Sequence, residues 1–370
     1  MTTNTLPIHT YLLPIGSVVL AAGIHLIGVP IGDGYPGVRI LVSLLAICVL
    51  LTTVFVVLQH AEMLAVRLGQ PYGTLLLTFA VTTVEVSIIV SMMLHGENNP
   101  TLARESVFST IMIVCAGVVG LCLTLGGWQH RQQDLKRQGT NAFLSVLTAL
   151  AVLTLVLPNF TLAAKPGTFS PVQLIFVSLC SVLLYGSFVF AQTVGHRDDF
   201  LDDGAGHDSQ HMSHVVVRGT IWVNAVLLLT GLVGIVLLAE QVAIGVEDGL
   251  AALHVEQTDT IVGAFIATLV LLPEALSAIR AALNNELQRS LNIALGSALA
   301  TIGLTIPAVG IASLVTDREL TLGLPAGDSI LLALILSISI HSFGTGRTTV
   351  LTGLVHLVVF IAFLMLIAFP

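Results

Sequence analysis

The sequence predicts an all-α membrane protein of about 11 transmembrane helices: one extra helix, then two inverted five-helix repeats. Composition is the first ground. Of 370 residues, 55% are hydrophobic and 9% charged, whereas a soluble domain carries about a quarter charged residues. The second ground is a succession of apolar runs, each close to the ~20 residues that cross a bilayer as helix. The third is a single long polar segment, His196 to His214, with five spans on each side once the first helix is set aside. An odd number of spans per half forces the second half to insert upside down relative to the first.

The runs fall at 10–30, 36–59, 72–94, 107–128, 142–163, 171–194, 218–242, 259–283, 290–315, 327–345 and 349–369. They are continuous and do not alternate with period two, which excludes a barrel. Gly and Pro punctuate the joints, as at Gly32, Gly34, Gly96, Pro100, Pro166, Gly167, Pro325 and Gly327. No Lys or Arg precedes the first run, so it reads as a retained membrane helix and not a signal peptide. Residues 1–35 thus hold the extra helix and 36–194 the first repeat. Residues 195–217 form an acidic, His-rich loop, and 218–370 the second repeat.

Basic residues orient the chain. One side holds nine of the 13 Lys and Arg (Arg67, Arg131, Lys136, Arg137, Arg197, Arg218, Arg280, Arg289, Arg347), and the other holds Arg39, Arg104, Lys165 and Arg318. By the positive-inside rule the N-terminus and the 195–217 loop are cytoplasmic and the C-terminus is outside. With so few basic residues no patch exists to neutralise phosphates, so nucleic acid is not a partner; the lipid bilayer is. The composition also excludes a soluble enzyme and a disordered chain. The four cysteines, Cys48, Cys115, Cys122 and Cys180, lie inside apolar runs without metal-ligand spacing and read as buried membrane thiols.

The two halves align on a pair of glutamates. Gly73 precedes Glu85 by twelve residues, and Gly263 precedes Glu274 by eleven. Ser106 follows Glu85 by 21 residues and Ser297 follows Glu274 by 23, which also aligns Thr110 with Thr301. Of the acidic residues placed within spans, Glu85 and Glu274 lie near mid-helix, whereas Glu240 sits near a helix end. A charge at mid-helix opposes insertion by about 2.5–3.5 kcal/mol on the gentler scale, so such a group needs a partner or a water-filled path. Pro273 withholds a backbone donor and frees a carbonyl one turn back, beside Glu274. In the first half Thr82 and Thr83 take that place, supplying oxygen or bonding back to their own helix. Ser106, Ser109, Thr110, Ser297 and Thr301 are either oxygen donors or small residues for close packing. Gly73, Gly263 and Gly296 permit close backbone approach.

The segments Thr82–Val90 (TTVEVSIIV), Thr101–Thr124 (TLARESVFSTIMIVCAGVVGLCLT) and Leu271–Gly310 (LLPEALSAIRAALNNELQRSLNIALGSALATIGLTIPAVG) resemble the alpha repeats of the calcium/cation antiporter superfamily. The match is to its proton-coupled branch, the bacterial ChaA-type calcium/proton antiporters related to vacuolar cation/proton exchangers. The resemblance implies a sodium/calcium exchanger-like fold in a bacterial inner membrane. It also implies that Glu85 and Glu274 bind the transported cation, with protons competing for the same carboxylates. Exchange of Ca²⁺ for H⁺ by alternating access follows. No cofactor and no enzymatic activity are implied; Ca²⁺ and H⁺ are the small partners, and the oligomeric state is left open, a homo-oligomer included.

The chain departs from the vacuolar pattern. That pattern has Asn-Ala-x-Glu before each glutamate, where this chain has Thr82-Thr83-Val84-Glu85 and Leu271-Leu272-Pro273-Glu274. Its Gly-Ser opening survives at Gly296-Ser297 but reads Glu105-Ser106 in the first half, and its amides correspond to Thr110 and Ala300. Fewer amide ligands leave Na⁺/H⁺ or K⁺/H⁺ exchange on the same site as the alternative.

Glu105 begins its helix on the outside and could draw cations to the mouth; a solvated loop acid is the plainer reading. In the loop, Asp198, Asp199, Asp202 and Asp203 could concentrate Ca²⁺. His207, His211 and His214 could bind a metal or sense pH, against the plainer reading of a solvated linker. His341 and His356 lie inside spans as proton relays or as packed, satisfied histidines. Two other classes remain. A cation channel could share intramembrane acids but needs a continuous pore. An intramembrane enzyme would want HExxH or paired DDxxD motifs, and Asp198-Asp199 with Asp202-Asp203 supplies one such motif only.

Overall fold

The computed structural model describes residues 8–26, 36–68, 72–95, 99–200, 220–252 and 258–369. In chain order the helices are α1 (Ile8–Leu26), α2 (Pro36–Leu68), α3 (Tyr72–His95), α4 (Leu102–Met112), α5 (Val119–His130), α6 (Arg137–Ala151) and α7 (Pro171–Phe190). Then come α8 (Ile221–Ala252), α9 (Thr258–Leu283), α10 (Leu287–Ala300), α11 (Ile306–Thr316), α12 (Ala326–Gly344) and α13 (Val350–Ala368). The pairs α4/α5 and α10/α11 are single rods, each interrupted by a π segment, Ile113–Val118 and Thr301–Thr305. The rods fall on the expected spans. Among the described residues nine are long and apolar enough to cross a membrane, and shorter apolar stretches lie at Ile8–Ile24 and Phe79–Val90.

Local sequence explains the ends. α7 starts at a capping box: Ser170 Oγ accepts from Gln173 N, Gln173 Oε1 accepts from Ser170 N, and Pro171 occupies the first turn, where its missing N–H costs nothing. Its two faces are both apolar. Leu174, Val177, Ser181 and Phe188 turn inward, while Val172, Phe176, Leu179 and Leu183 remain exposed for lipid. α11 ends at Asp317, whose φ of 53° is left-handed, and Ser313 Oγ caps the exit by donating to Arg318 O.

α2 and α8 exceed their predicted spans. At 33 and 32 residues each is roughly 50 Å long, well beyond a ~30 Å hydrocarbon core. α2 continues past its apolar run, and the first polar residue there is held within the fold. His60, fully buried, places Nδ1 2.8 Å from Asn224 Oδ1 and Nε2 3.2 Å from Thr10 O.

Two compact units emerge, residues 1–97 with 208–258, and residues 98–207 with 259–370. Each takes segments from both sides of the linker. In the first, α8 packs against α1 and α2, and α3 joins them. Gly231 and Gly234 let the backbones close up, since a Cβ on either would strike Val57 or Ser17.

In the second unit the rod α4–α5 is buried over most of its length. α13 lies along α5 and the π segment Ile113–Val118, and α7 lies along α11 and the π segment Thr301–Thr305. The last helix of each sequence half therefore braces the interrupted rod of the other half. A two-stranded antiparallel ribbon, β1 (Gln132–Asp134) and β2 (Arg347–Thr349), closes one end, with Gln133 opposite Thr348. At the opposite end Leu322 N and Gly323 N both donate to Gly167 O, and Leu324 N donates to Leu155 O. Gly167 has φ +84°, which a residue with a Cβ adopts only under strain.

One feature was not foreseen, and two expectations need correction. The π segments were not foreseen, because periodicity cannot register one extra residue per turn in a run that is apolar throughout. Cys48 is exposed on its helix and Cys180 partly so; Cys115 and Cys122 are the buried thiols. Gly296 makes no close approach, its nearest neighbour being Phe143 at ordinary contact distance.

Candidate functional site

Glu85 is carried by α3 and is 4% exposed. Thr82, one turn back, is buried as well, whereas Thr83 spends its hydroxyl on its own helix, donating to Phe79 O at 2.7 Å. Glu274 is half-buried in α9, directly after the buried Pro273. The two glutamates belong to different compact units. Within the second unit the α9–α10 turn sets depths. Glu274 lies ~14 Å before the end of α9, and Ser297 ~15 Å into α10, at 1.5 Å per residue. Ser297 is half-buried, and Thr301, one turn on, is buried where the π segment begins.

α4 presents the clearest polar feature. Ser106, Ser109 and Thr110 recur at helical spacing and are essentially inaccessible. None of their hydroxyls has a hydrogen-bond partner among the described residues. Thr140, Thr148, Ser290 and Ser339 share that lack, but only here do three such hydroxyls line one helix within five residues. Thr124, Thr154, Ser181 and Thr268 all donate to the carbonyl four residues back. A buried hydroxyl with nothing to bond costs about 1–3 kcal/mol, so these oxygens are suited to a partner from outside the protein, a cation or a water. Thr305 shares the property: it is fully buried and without a partner. It closes the π segment that packs against α4. Thr305 was missed in the sequence, although its place one turn after Thr301 was a usable cue.

At the opposite end from the ribbon, α4 begins with an ion pair. Glu105 is 3% exposed, which rules out a solvated loop acid. Its Oε1 accepts from Arg104 Nε at 2.9 Å and Nη2 at 2.5 Å, and its Oε2 accepts from Thr260 Oγ1 at 3.3 Å. Arg104 Nη1 donates to Gly323 O at 2.9 Å. Asp328, in the first turn of α12, feels both charges. α9 crosses here at Gly263: a Cβ there would sit 3.0 Å from Glu105 Cβ and from Ser106 N. The expected close approach at Gly263 is therefore real, and it brings α9 onto the polar strip of α4.

The ribbon end holds the far end of α9. Gln133 Nε2 donates to Ala282 O at 3.0 Å, and His130 Nε2 lies 2.8 Å from Leu283 O, satisfying carbonyls that a helix C-terminus leaves open. The acidic linker starts at the same end. Asp198 is exposed, while Asp199 is partly covered, its carbonyl against Gly139. Phe200 is buried among Phe143 and Phe188, and its carbonyl accepts from Asn292 Nδ2. Asp202, Asp203, His207, His211 and His214 lie outside the described residues. His341 bonds its own Ser337 O.

The profile of the sodium/calcium exchanger protein family matches residues 38–194 and 223–369. The chain belongs to that family. It is 44% identical over 365 residues to the y4hA protein of Sinorhizobium fredii (strain NBRC 101917 / NGR234), covering 98% of this chain and 97% of the relative. It is 37% identical over 333 residues to the sodium-potassium/proton antiporter ChaA of Escherichia coli (strain K12), 89% of each chain being covered. The crystal structure of the H⁺/Ca²⁺ exchanger CAX superposes with a TM-score of 0.67 at 16% identity, over 98% of this chain and 89% of that one, a likeness of fold. This exchanger is thus a multi-pass membrane transporter of cations and not an enzyme.

Proposed function

We propose that this exchanger moves Ca²⁺ against H⁺ across a bacterial inner membrane by alternating access, with cation and protons competing for Glu85 and Glu274. The observation that carries this reading is a pair of carboxylates inside helices α3 and α9, at matching places in the two sequence halves, with Glu85 only 4% exposed. Carboxylates taken out of water resist staying bare; one Ca²⁺ or two protons balance two of them. The loaded forms can be occluded, and the empty, doubly charged form is costly to bury, so the site returns carrying something. Ser106, Ser109, Thr110, Ser297, Thr301 and the carbonyl freed by Pro273 supply neutral oxygens, which suits a hard cation. Thr82 adds a further oxygen. Glu105, paired with Arg104, stands at the outer entry for the cation. The N-terminus and the 195–217 loop are cytoplasmic in this reading, and Asp198, Asp199, Asp202, Asp203, His207 and His211 face that compartment.

Na⁺/H⁺ or K⁺/H⁺ exchange on the same carboxylates is the second reading. It is favoured by the 37% identity to a sodium-potassium/proton antiporter. Everted vesicles with an acid interior decide between them: CaCl₂, NaCl or KCl is added singly and dissipation of the pH gradient is followed. Ca²⁺-driven dissipation supports the first reading; dissipation by Na⁺ or K⁺ alone supports the second. No response to any cation refutes antiport, and full exchange by Glu85→Gln and Glu274→Gln refutes the site. Calcium flux with no proton movement identifies a channel.

A further inference from the structure

The rod α4–α5 changes its winding at Ile113–Val118, and one residue outside it bonds the backbone there. Val119 N bonds Val114 O, five residues back. Where a helix returns from π to α winding, one carbonyl is passed over, and Cys115 O is next in line. His356 of α13 meets it: Nδ1 lies 2.7 Å from Cys115 O. A carbonyl can only accept, so Nδ1 carries the proton. Nε2 of the neutral ring then accepts from Ser342 Oγ of α12 at 3.1 Å. The ring is fully buried and lies beside Phe343, centroids 6.0 Å apart.

The approach that makes this bond is built in. A Cβ on Gly117 would lie 3.2 Å from the Phe360 ring, and one on Gly120 3.0 Å from Leu357 and 3.1 Å from His356 Cβ. A Cβ on Gly353 would strike Thr124. α13 therefore rests almost on the backbone of the rod. Both ring nitrogens are engaged, one of them with a carbonyl that cannot pass a proton on, so the ring is not a relay.

We infer that His356 is a positioning residue for the exchange site. It holds Cys115 O and with it the π turn. Thr110 lies five residues before Cys115, and one residue of winding is worth about 100° of helix rotation. The π turn accordingly sets the angle at which Ser106, Ser109 and Thr110 face relative to α5, and His356 keeps it there. The role in exchange rests on the placement of the cation site under Proposed function.

The test uses the full chain carrying Cys48→Ser and Cys180→Ser, so that Cys115 and Cys122 are the thiols left. His356→Leu removes the donor; His356→Gln keeps an N–H that can reach the carbonyl. In His356→Leu, N-ethylmaleimide labels these thiols about tenfold faster, and the apparent KM for the driving cation rises about tenfold with the shape of the pH profile unchanged. His356→Gln stays within about threefold of the parent in both readouts. Unchanged labelling and unchanged KM in His356→Leu overturn the inference. A displaced pH profile with unchanged KM also overturns it, because His356 then handles protons. Faster labelling with unchanged KM overturns the positioning role and traces the failure to the site assignment on α4. Should His356→Leu not accumulate in membranes, His356→Met carries the same expectations.

Discussion

Neutralising Glu105 should destabilise the protein by several kilocalories without changing its shape. Glu105→Gln keeps an oxygen for Arg104 and Thr260 but removes the charge that matches a guanidinium only 13% exposed. Breaking one side of a buried pair costs about 3–5 kcal/mol, since the other charge is left uncompensated. Arg104 keeps its bond to Gly323 O, which places the loss at the lower end, about 3 kcal/mol. For a cooperative body of roughly 200 residues this lowers the melting temperature by roughly 6–12 °C. The assay is thermal unfolding of the detergent-purified chain at neutral pH. The double variant Arg104→Met/Glu105→Leu should recover to within about 1 kcal/mol of the parent, because it removes both charges and leaves apolar bulk. A Glu105→Gln protein melting within about 2 °C of the parent would refute the assignment of a buried, charge-balanced pair.

Thr110→Val should leave the melting temperature unchanged or raise it, because the hydroxyl it removes has no partner, while the KM for the driving cation rises; unchanged KM assigns Thr110 to packing. Gly263→Val forces α9 off α4 at Glu105 and Ser106, and should cut exchange more than tenfold while the rest of the chain folds; vesicle exchange per folded molecule checks it. The Lys165 ammonium, hydrogen-bonded at 2.7 Å, lowers the Glu319 carboxyl below its ordinary 4.5 and is itself raised above 10.5. The bridge therefore contributes above the ordinary Glu value and is lost as pH falls through the lowered one. It is lost again as pH rises through the raised Lys165 value. Melting of Glu319→Gln against the parent should show a small difference at pH ~7 that closes at both extremes.

The order of membrane rods was legible in the sequence because each apolar run is about one bilayer long and only helices satisfy their own backbone in lipid. The two glutamates stand out in the sequence because a carboxylate is conspicuous among Val, Leu and Thr, and because each is followed by a serine at similar spacing, 21 and 23 residues on. Composition could not distinguish a ligand hydroxyl from a packed one. Thr83 and Thr110 are the same residue type in the same kind of helix. Only the structure shows one bonded to Phe79 O and the other with no partner among the described residues.

By itself, the sequence determined a polytopic helical protein of the sodium/calcium exchanger protein family, and where its rare charges stand along the chain. Hydropathy and spacing are local properties, written in consecutive residues. Tertiary structure decided which of those residues meet. The bond of Thr260 to Glu105, where α9 meets α4 beside Gly263, and the bond from His356 to Cys115 O join residues 155 and 241 apart. Each depends on backbones brought within a side chain's width. Such contacts leave no periodic trace, since a small residue that permits close approach looks the same as one that merely faces lipid.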